Sequence, residues 1–182
     1  MRGDKKGLGQ NFYFEWMHPI KDYFVTCERN EVYFEVVFPI IVAVLSVVVC
    51  TMVDKVDLAT RELAALLMSL TSILIGFSIM LVTLLLTGGG EGIKKLQSKF
   101  SKKTLNNNPM TLFQKLHVQF VYTLIVEIIL LLSIMFFYFL TSFLENGRWE
   151  TIFLFLFVFM IMNILLSILR GVTNIYFSYY NS

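Results

Sequence analysis

Glu127 is the residue whose type and place most demand a chemical explanation. It sits in Val121-Tyr122-Thr123-Leu124-Ile125-Val126-Glu127, inside a long apolar run. Counting from the ends of their runs, Glu127, Gly76 and Asn163 all fall near the middle. An ionisable group at the centre of a bilayer costs at least about 2.5–3.5 kcal/mol and commonly faces a bundle interior or a wet path. Two readings follow. As a structural group, Glu127 is protonated and hydrogen-bonds Asn163, Ser72 or Thr123. As a functional one, copies from several subunits ring a pore and favour cations.

The second chemical feature is a lysine cluster, Lys94, Lys95, Lys99, Lys102 and Lys103, set around an apolar edge of Ile93, Leu96 and Phe100. Only Glu91 opposes it. Such clusters orient membrane proteins and touch anionic lipid. The sharper alternative is a receptor for an anionic cytoplasmic ligand, an oligonucleotide or nucleotide signal. The segment lacks arginine and interleaved aromatics, which argues against sequence-specific nucleic-acid readout.

Catalytic arrangements are missing from the sequence. The apolar runs hold no Asp pair, and Gly76-Phe77-Ser78 has no histidine at matching depth. His18 and His117 have no ligand-forming neighbours at metal spacing. Gly88-Gly89-Gly90-Glu91-Gly92-Ile93-Lys94 imitates a phosphate loop, but Ile93 separates Gly92 from Lys94. These features predict neither enzyme, cofactor nor metal site.

The elements that must position these residues are membrane spans. In 182 residues the apolar set makes up 57% and charged residues 15%, with a mean hydropathy of +0.71. That is too apolar for one soluble core. Four runs, approximately Val36–Val53, Leu63–Thr87, Leu116–Leu140 and Ile152–Val172, are each long enough to cross about 30 Å of hydrocarbon. The expected fold is an all-α membrane protein of two antiparallel hairpins. Its divisions are an interfacial leader (1–35), a first hairpin (36–87), a Lys-rich link (88–115), a second hairpin (116–172) and a tail (173–182).

In the leader, Phe12, Tyr13, Phe14 and Trp16, then Ile20, Tyr23, Phe24 and Cys27 after Pro19, suggest an amphipathic segment in the inner interface. Asn108 before Pro109, or Thr111 with Gln114, would start the third span. Cys27 and Cys50 are too few for a disulfide framework.

Orientation follows from basic residues. Eleven lysines and arginines lie in the leader and link, against Lys55, Arg61 and Arg148 in the short connections. Both termini are therefore expected in the cytoplasm, with the protein multi-pass in the inner membrane.

Each span carries a small or polar stripe. These are Glu35, Pro39, Ala43, Ser46 and Cys50; Ala65, Ser69, Ser72, Gly76, Thr83 and Thr87; Lys115, Gln119, Thr123 and Glu127; and Asn163, Ser167, Arg170, Gly171 and Asn174. Such stripes are packing faces in helical bundles. Arg170, about two turns nearer the cytoplasm than Asn163, is expected to snorkel to the interface.

An aromatic leader running into a Pro-containing span, Leu74-Ile75-Gly76-Phe77-Ser78-Ile79 in the second, a Lys-rich link and the Glu127 run together resemble small four-span bacterial effectors of anti-phage defence, of the Hailong or Kiwa type. The resemblance implies a homo-oligomer, a tetramer in number, that disturbs the membrane when infection is signalled. A Hailong-type effector implies an ion channel controlled by a DNA oligomer. A Kiwa-type subunit implies a non-conducting anchor for a cytoplasmic partner protein.

Overall fold

The computed structural model describes residues 17–105, 108–143 and 148–180, without the side chains of 102–105, 108, 148 and 178–180. Within them the chain runs α1 (Met17–Thr26), α2 (Arg29–Met52), α3 (Val56–Thr87), α4 (Glu91–Ser98), β1 (Phe100–Leu105), β2 (Asn108–Thr111), α5 (Leu112–Thr141) and α6 (Arg148–Tyr180). Four of these helices, α2, α3, α5 and α6, are long and apolar enough to cross a membrane. The fold is all-α and of membrane type.

Local chemistry sets the ends of the spans. Glu28 and Glu31 form a capping box, with the Glu28 amide donating to the Glu31 carboxylate at 2.7 Å. This starts α2 at Arg29, seven residues before the apolar run. At its other end, Asp54 takes φ 53°, a left-handed conformation that Asp tolerates. The Lys55 amide then reaches the Cys50 carbonyl at 3.1 Å and the Asp54 amide the Thr51 carbonyl at 3.3 Å. This is the Schellman pattern, and it satisfies carbonyls that would otherwise be orphaned.

The third span begins at Thr111 rather than at Asn108. The Thr111 hydroxyl accepts from the Gln114 amide at 3.2 Å, and the Gln114 side chain accepts from the Thr111 amide at 2.9 Å. Asn108 and Pro109 belong instead to β2, which pairs antiparallel with β1. Sequence reasoning missed this small hairpin.

The expected pairing of the spans needs one correction. Helices α5 and α6 do pack as antiparallel neighbours, but α2 barely meets α3. It lies on α6, while α3 lies on α5 and, more lightly, on α6. The central pair is buried most: 39% of the apolar window of α5 and 44% of that of α6 are buried, against 17% for α2 and for α3. Helices α2 and α3 are thus flanks on a central pair.

Two unlike regions make up the interior. Near the α2–α3 turn, Leu130, Ile134 and Phe137 of α5 pack with Phe153, Phe157, Met160, Ile161 and Ile164 of α6 and with Ala64 and Leu67 of α3. Phe137 lies 5.2 Å from Phe153 and 5.6 Å from Phe157, centroid to centroid, within the range of favourable aromatic pairs. At the opposite end, α1 packs on α5 and β1, and Leu96 of α4 joins Leu85, Leu116 and Phe120. Most of the buried polar residues gather at this α1 end, although Thr60 and Thr71 of α3 are buried as well.

Candidate functional site

Glu31 and Glu35 stand one turn apart on α2, and the same spacing aligns Lys115, Gln119 and Thr123 on α5 and places Asn163 near Ser167 and Arg170 on α6. The three polar stripes meet. Arg170 is their hub: its Nε lies 3.0 Å from Glu35 Oε1 and one terminal nitrogen 3.3 Å from Glu31 Oε2. The other terminal nitrogen donates to the Tyr23 hydroxyl at 2.9 Å, and both reach Cys27 Sγ at 3.4 Å. Lys115 completes the cluster, its Nζ 3.1 and 3.2 Å from the two Glu31 oxygens. Two carboxylates face two cations, leaving no formal net charge.

Arg170 does not snorkel outward. Its side chain is only 14% exposed and that of Glu35 4%. Both carboxylates, the thiol and the Tyr23 ring draw the guanidinium inward, with its carbon 5.3 Å from the ring centroid. The sequence signal was present in Glu35 and Arg170, each on a polar stripe. Their pairing was missed because it joins the first span to the last.

Helix α1 closes this cluster. Tyr23 is buried; its hydroxyl donates to Glu35, and its ring stacks on Tyr122 at 3.7 Å with the planes 6° apart. Burial pushes the Tyr23 hydroxyl far above the usual phenol range against the pull of Arg170, so it remains a neutral donor. Burial likewise pushes the Cys27 thiol up, with Arg170 opposing. The expected amphipathic segment is therefore helical from Met17, with Tyr23, Thr26 and Cys27 turned inward. Phe12, Tyr13, Phe14 and Trp16 lie outside the described residues.

Deeper in, neutral groups continue the network. Gln119 donates to the Ser167 carbonyl at 2.6 Å, and the Thr123 hydroxyl lies 3.0 Å from the Gln119 carbonyl and 3.2 Å from Ser167 Oγ. Gly171 permits this approach: a Cβ there would lie 2.8 Å from the Phe120 ring and 3.3 Å from Gln119 Nε2. Tyr122 donates to Asn163 Oδ1 at 3.0 Å.

Asn163 also donates to the Glu35 carbonyl, at 2.9 Å. Pro39 explains why. Four residues after Glu35, it has no N–H to offer that carbonyl, and in hydrocarbon no water can substitute. The Asn163 amide supplies the missing donor from the neighbouring helix.

Glu127 is fully buried one turn beyond Thr123. Its Oε1 accepts from Ser78 of α3 at 2.8 Å, while Oε2 has no partner. The groups expected beside it lie elsewhere. Asn163 and Thr123 belong to the network just described, Ser72 is exposed and bonds back to the Met68 carbonyl at 2.8 Å, and Gly76 is exposed. Ser78 is two residues from Gly76, about 200° around the helix, so the two face opposite ways. The choice of partner failed for want of helix phase.

Of the lysine cluster, Lys94 and Lys95 are exposed on α4 and Lys99 is half-buried at its C-terminal cap. Leu96 anchors α4 beneath them and Ile93 is half-buried, whereas Phe100 is exposed. Lys102 and Lys103 lie on β1, their side chains outside the described residues.

No protein-family model matches the chain, and neither the curated proteins nor the solved structures yield a match.

Proposed function

We propose that this protein is an oligomeric membrane effector that passes ions through a pathway held shut in the conformation described here, and that it serves bacterial defence against phage. The observation that carries the reading is the polar stripe of α5. Lys115, Gln119, Thr123 and Glu127 follow one another at four-residue intervals from the ionic cluster to the middle of the span. Immediately beyond, Leu130, Ile134 and Phe137 continue the buried face into the phenylalanine core. Half of a path is polar and half is sealed.

In this reading Glu127, with one carboxylate oxygen unpartnered, tunes the permeant cation, and α1 controls access by holding Tyr23 over Glu35 and Arg170. Both termini and the link that bears the lysines face the cytoplasm, since basic residues concentrate there. Lys94, Lys95, Lys99, Lys102 and Lys103 receive an anionic signal, an oligonucleotide or nucleotide, or a partner protein. Self-association is supported by the second span, whose small residues Ala65, Ser69, Ser72, Gly76, Thr83 and Thr87 are all exposed and so remain available to a second copy.

A second reading, a non-conducting anchor for a soluble partner, is favoured by one observation. The pairing of Glu31 and Glu35 with Lys115 and Arg170 leaves no formal charge to draw an ion inward. Ion flux through purified protein in liposomes, with and without short oligonucleotides, separates the two. Flux in either condition is expected, altered in cation selectivity by Glu127→Gln; its absence in both would leave the anchor. Orientation is checked in cells with an impermeant thiol reagent, which should label Lys55→Cys and spare Gln97→Cys.

A further inference from the structure

We infer that the elbow between α1 and α2 binds one anionic diacyl phospholipid, its phosphate at Arg29 and Asn30 and its two chains on either side of Tyr33. The break at Cys27 and Glu28 turns α1 away from α2 and leaves a groove of about 420 Å³, walled by Phe24, Val25, Val32 and Val36. A second groove of about 390 Å³ runs along the other side of α2 against Phe34, Phe38 and Ile41. Tyr33 and Val37 line both grooves. Tyr33 is 58% exposed and stands as the ridge between them. Phe34 and Phe38, stacked 5.5 Å apart with planes 13° from parallel, give the second groove a flat wall.

The chemistry at the head of the grooves fits this occupant. Arg29 lines the first groove and Asn30 the second, both in the first turn of α2. Below them both grooves are apolar apart from Cys27 and the Tyr33 hydroxyl. The cations of the neighbouring cluster are engaged, Lys115 by Glu31 and Arg170 by Glu31 and Glu35. Arg29 is exposed and, among the described residues, faces no carboxylate. The adjacent Glu28 is drawn into the capping box at the helix start. Two apolar grooves headed by adjacent residues, the exposed cation Arg29 and the amide Asn30, match two chains joined at one negative head. A helix from another protein would have to ride on the Tyr33 ridge.

The test titrates the full chain, purified in detergent, with phosphatidylglycerol and reads bound lipid by native mass spectrometry. Parallel arms use phosphatidylcholine of the same chains, single-chain lysophosphatidylglycerol and inorganic phosphate. Phosphatidylglycerol should bind about five-fold more tightly than phosphatidylcholine, the attraction of one interfacial cation for an anionic head. Arg29→Gln should abolish that preference, and Arg29→Lys should keep most of it. Val37→Trp, which fills both grooves from an exposed position, should displace the lipid while the protein remains monodisperse. Equal binding of the two lipids, an unchanged preference in Arg29→Gln, lipid retained by Val37→Trp, or lysolipid bound as tightly as the diacyl form would each overturn the proposal. Competition by inorganic phosphate would also overturn it, by reducing the site to an anion pocket. Loss of an oligomer in Val37→Trp without loss of lipid would assign the grooves to a second copy.

Discussion

The two halves of the bundle interior are held by opposite means. Near the α2–α3 turn, Phe137, Phe153 and Phe157 pack with aliphatic neighbours, and apolar contacts of this kind have no required direction. At the α1 end, Arg170 is fixed by Glu31, Glu35, Tyr23 and Cys27 together, with Lys115 on the far side of Glu31. The apolar half can lose a partner and repack. In the ionic half, losing one member leaves opposite charges buried without compensation, so its geometry is specified more tightly than its strength alone would suggest.

The sharpest way to break that contrast is to compare Arg170→Leu with Phe157→Leu. Removing the guanidinium leaves Glu31 and Glu35 short of a cation and should cost about 3–5 kcal/mol. The phenylalanine change keeps an apolar side chain but gives up ring contacts with Phe137 and Phe153, and should cost less, about 1–2 kcal/mol. Reversible unfolding in mixed micelles measures both, and equal losses would erase the distinction between the halves. A smaller effect tests the link between Pro39 and Asn163. Asn163→Leu should cost about 1–3 kcal/mol, because the Glu35 carbonyl loses its donor. In a Pro39→Ala background, where position 39 regains an N–H, the same change should cost measurably less. An additive double mutant would mean that Asn163 matters only through Tyr122.

The smallest expected effect on stability comes from Tyr23→Phe, which keeps the ring on Tyr122 and removes the hydroxyl from Glu35 and Arg170. Stability should fall by only about 1.4 kcal/mol, near the low end of the contribution of hydrogen bonds to charged groups, and α1 should correspondingly open about ten-fold more often. Cys27 reports that opening in a Cys50→Ser background. While α1 is seated, burial holds the thiol above its usual range, so alkylation near neutral pH should be slow and should rise only at more alkaline pH than for a free thiol. Opening α1 should bring the pH profile back toward the ordinary thiol. Identical labelling of wild type and Tyr23→Phe across pH would show that the hydroxyl does not hold α1.

The spans were legible in the sequence because each is a long apolar run, and their number and approximate limits agree with α2, α3, α5 and α6. What escaped sequence reading was relative arrangement. A short connection suggests a packed hairpin, yet α2 rests on α6, where Glu35 meets Arg170 and the Pro39 gap meets Asn163. Composition places Glu127 near mid-span, but its partner depends on rotation of α3, which set Ser78 inward and Gly76 outward. The β-hairpin was hidden because Phe100–Leu105 has no clean alternation, and Asn108-Pro109 reads equally well as the start of a helix.

The reach of the ionic cluster along the chain bears on how the protein is made. Glu31 is separated from Lys115 by 84 residues, and Tyr23 from Arg170 by 147. A ribosome therefore releases both carboxylates long before their cations, and the first two spans enter the membrane with almost nothing to hold them to each other. The ionic cluster can thus form only after α6, which carries Arg170, has been made. Truncation before Arg170 should yield chains that insert but leave Glu35 without its cation, and pulse-chase labelling should show them cleared faster than the full chain.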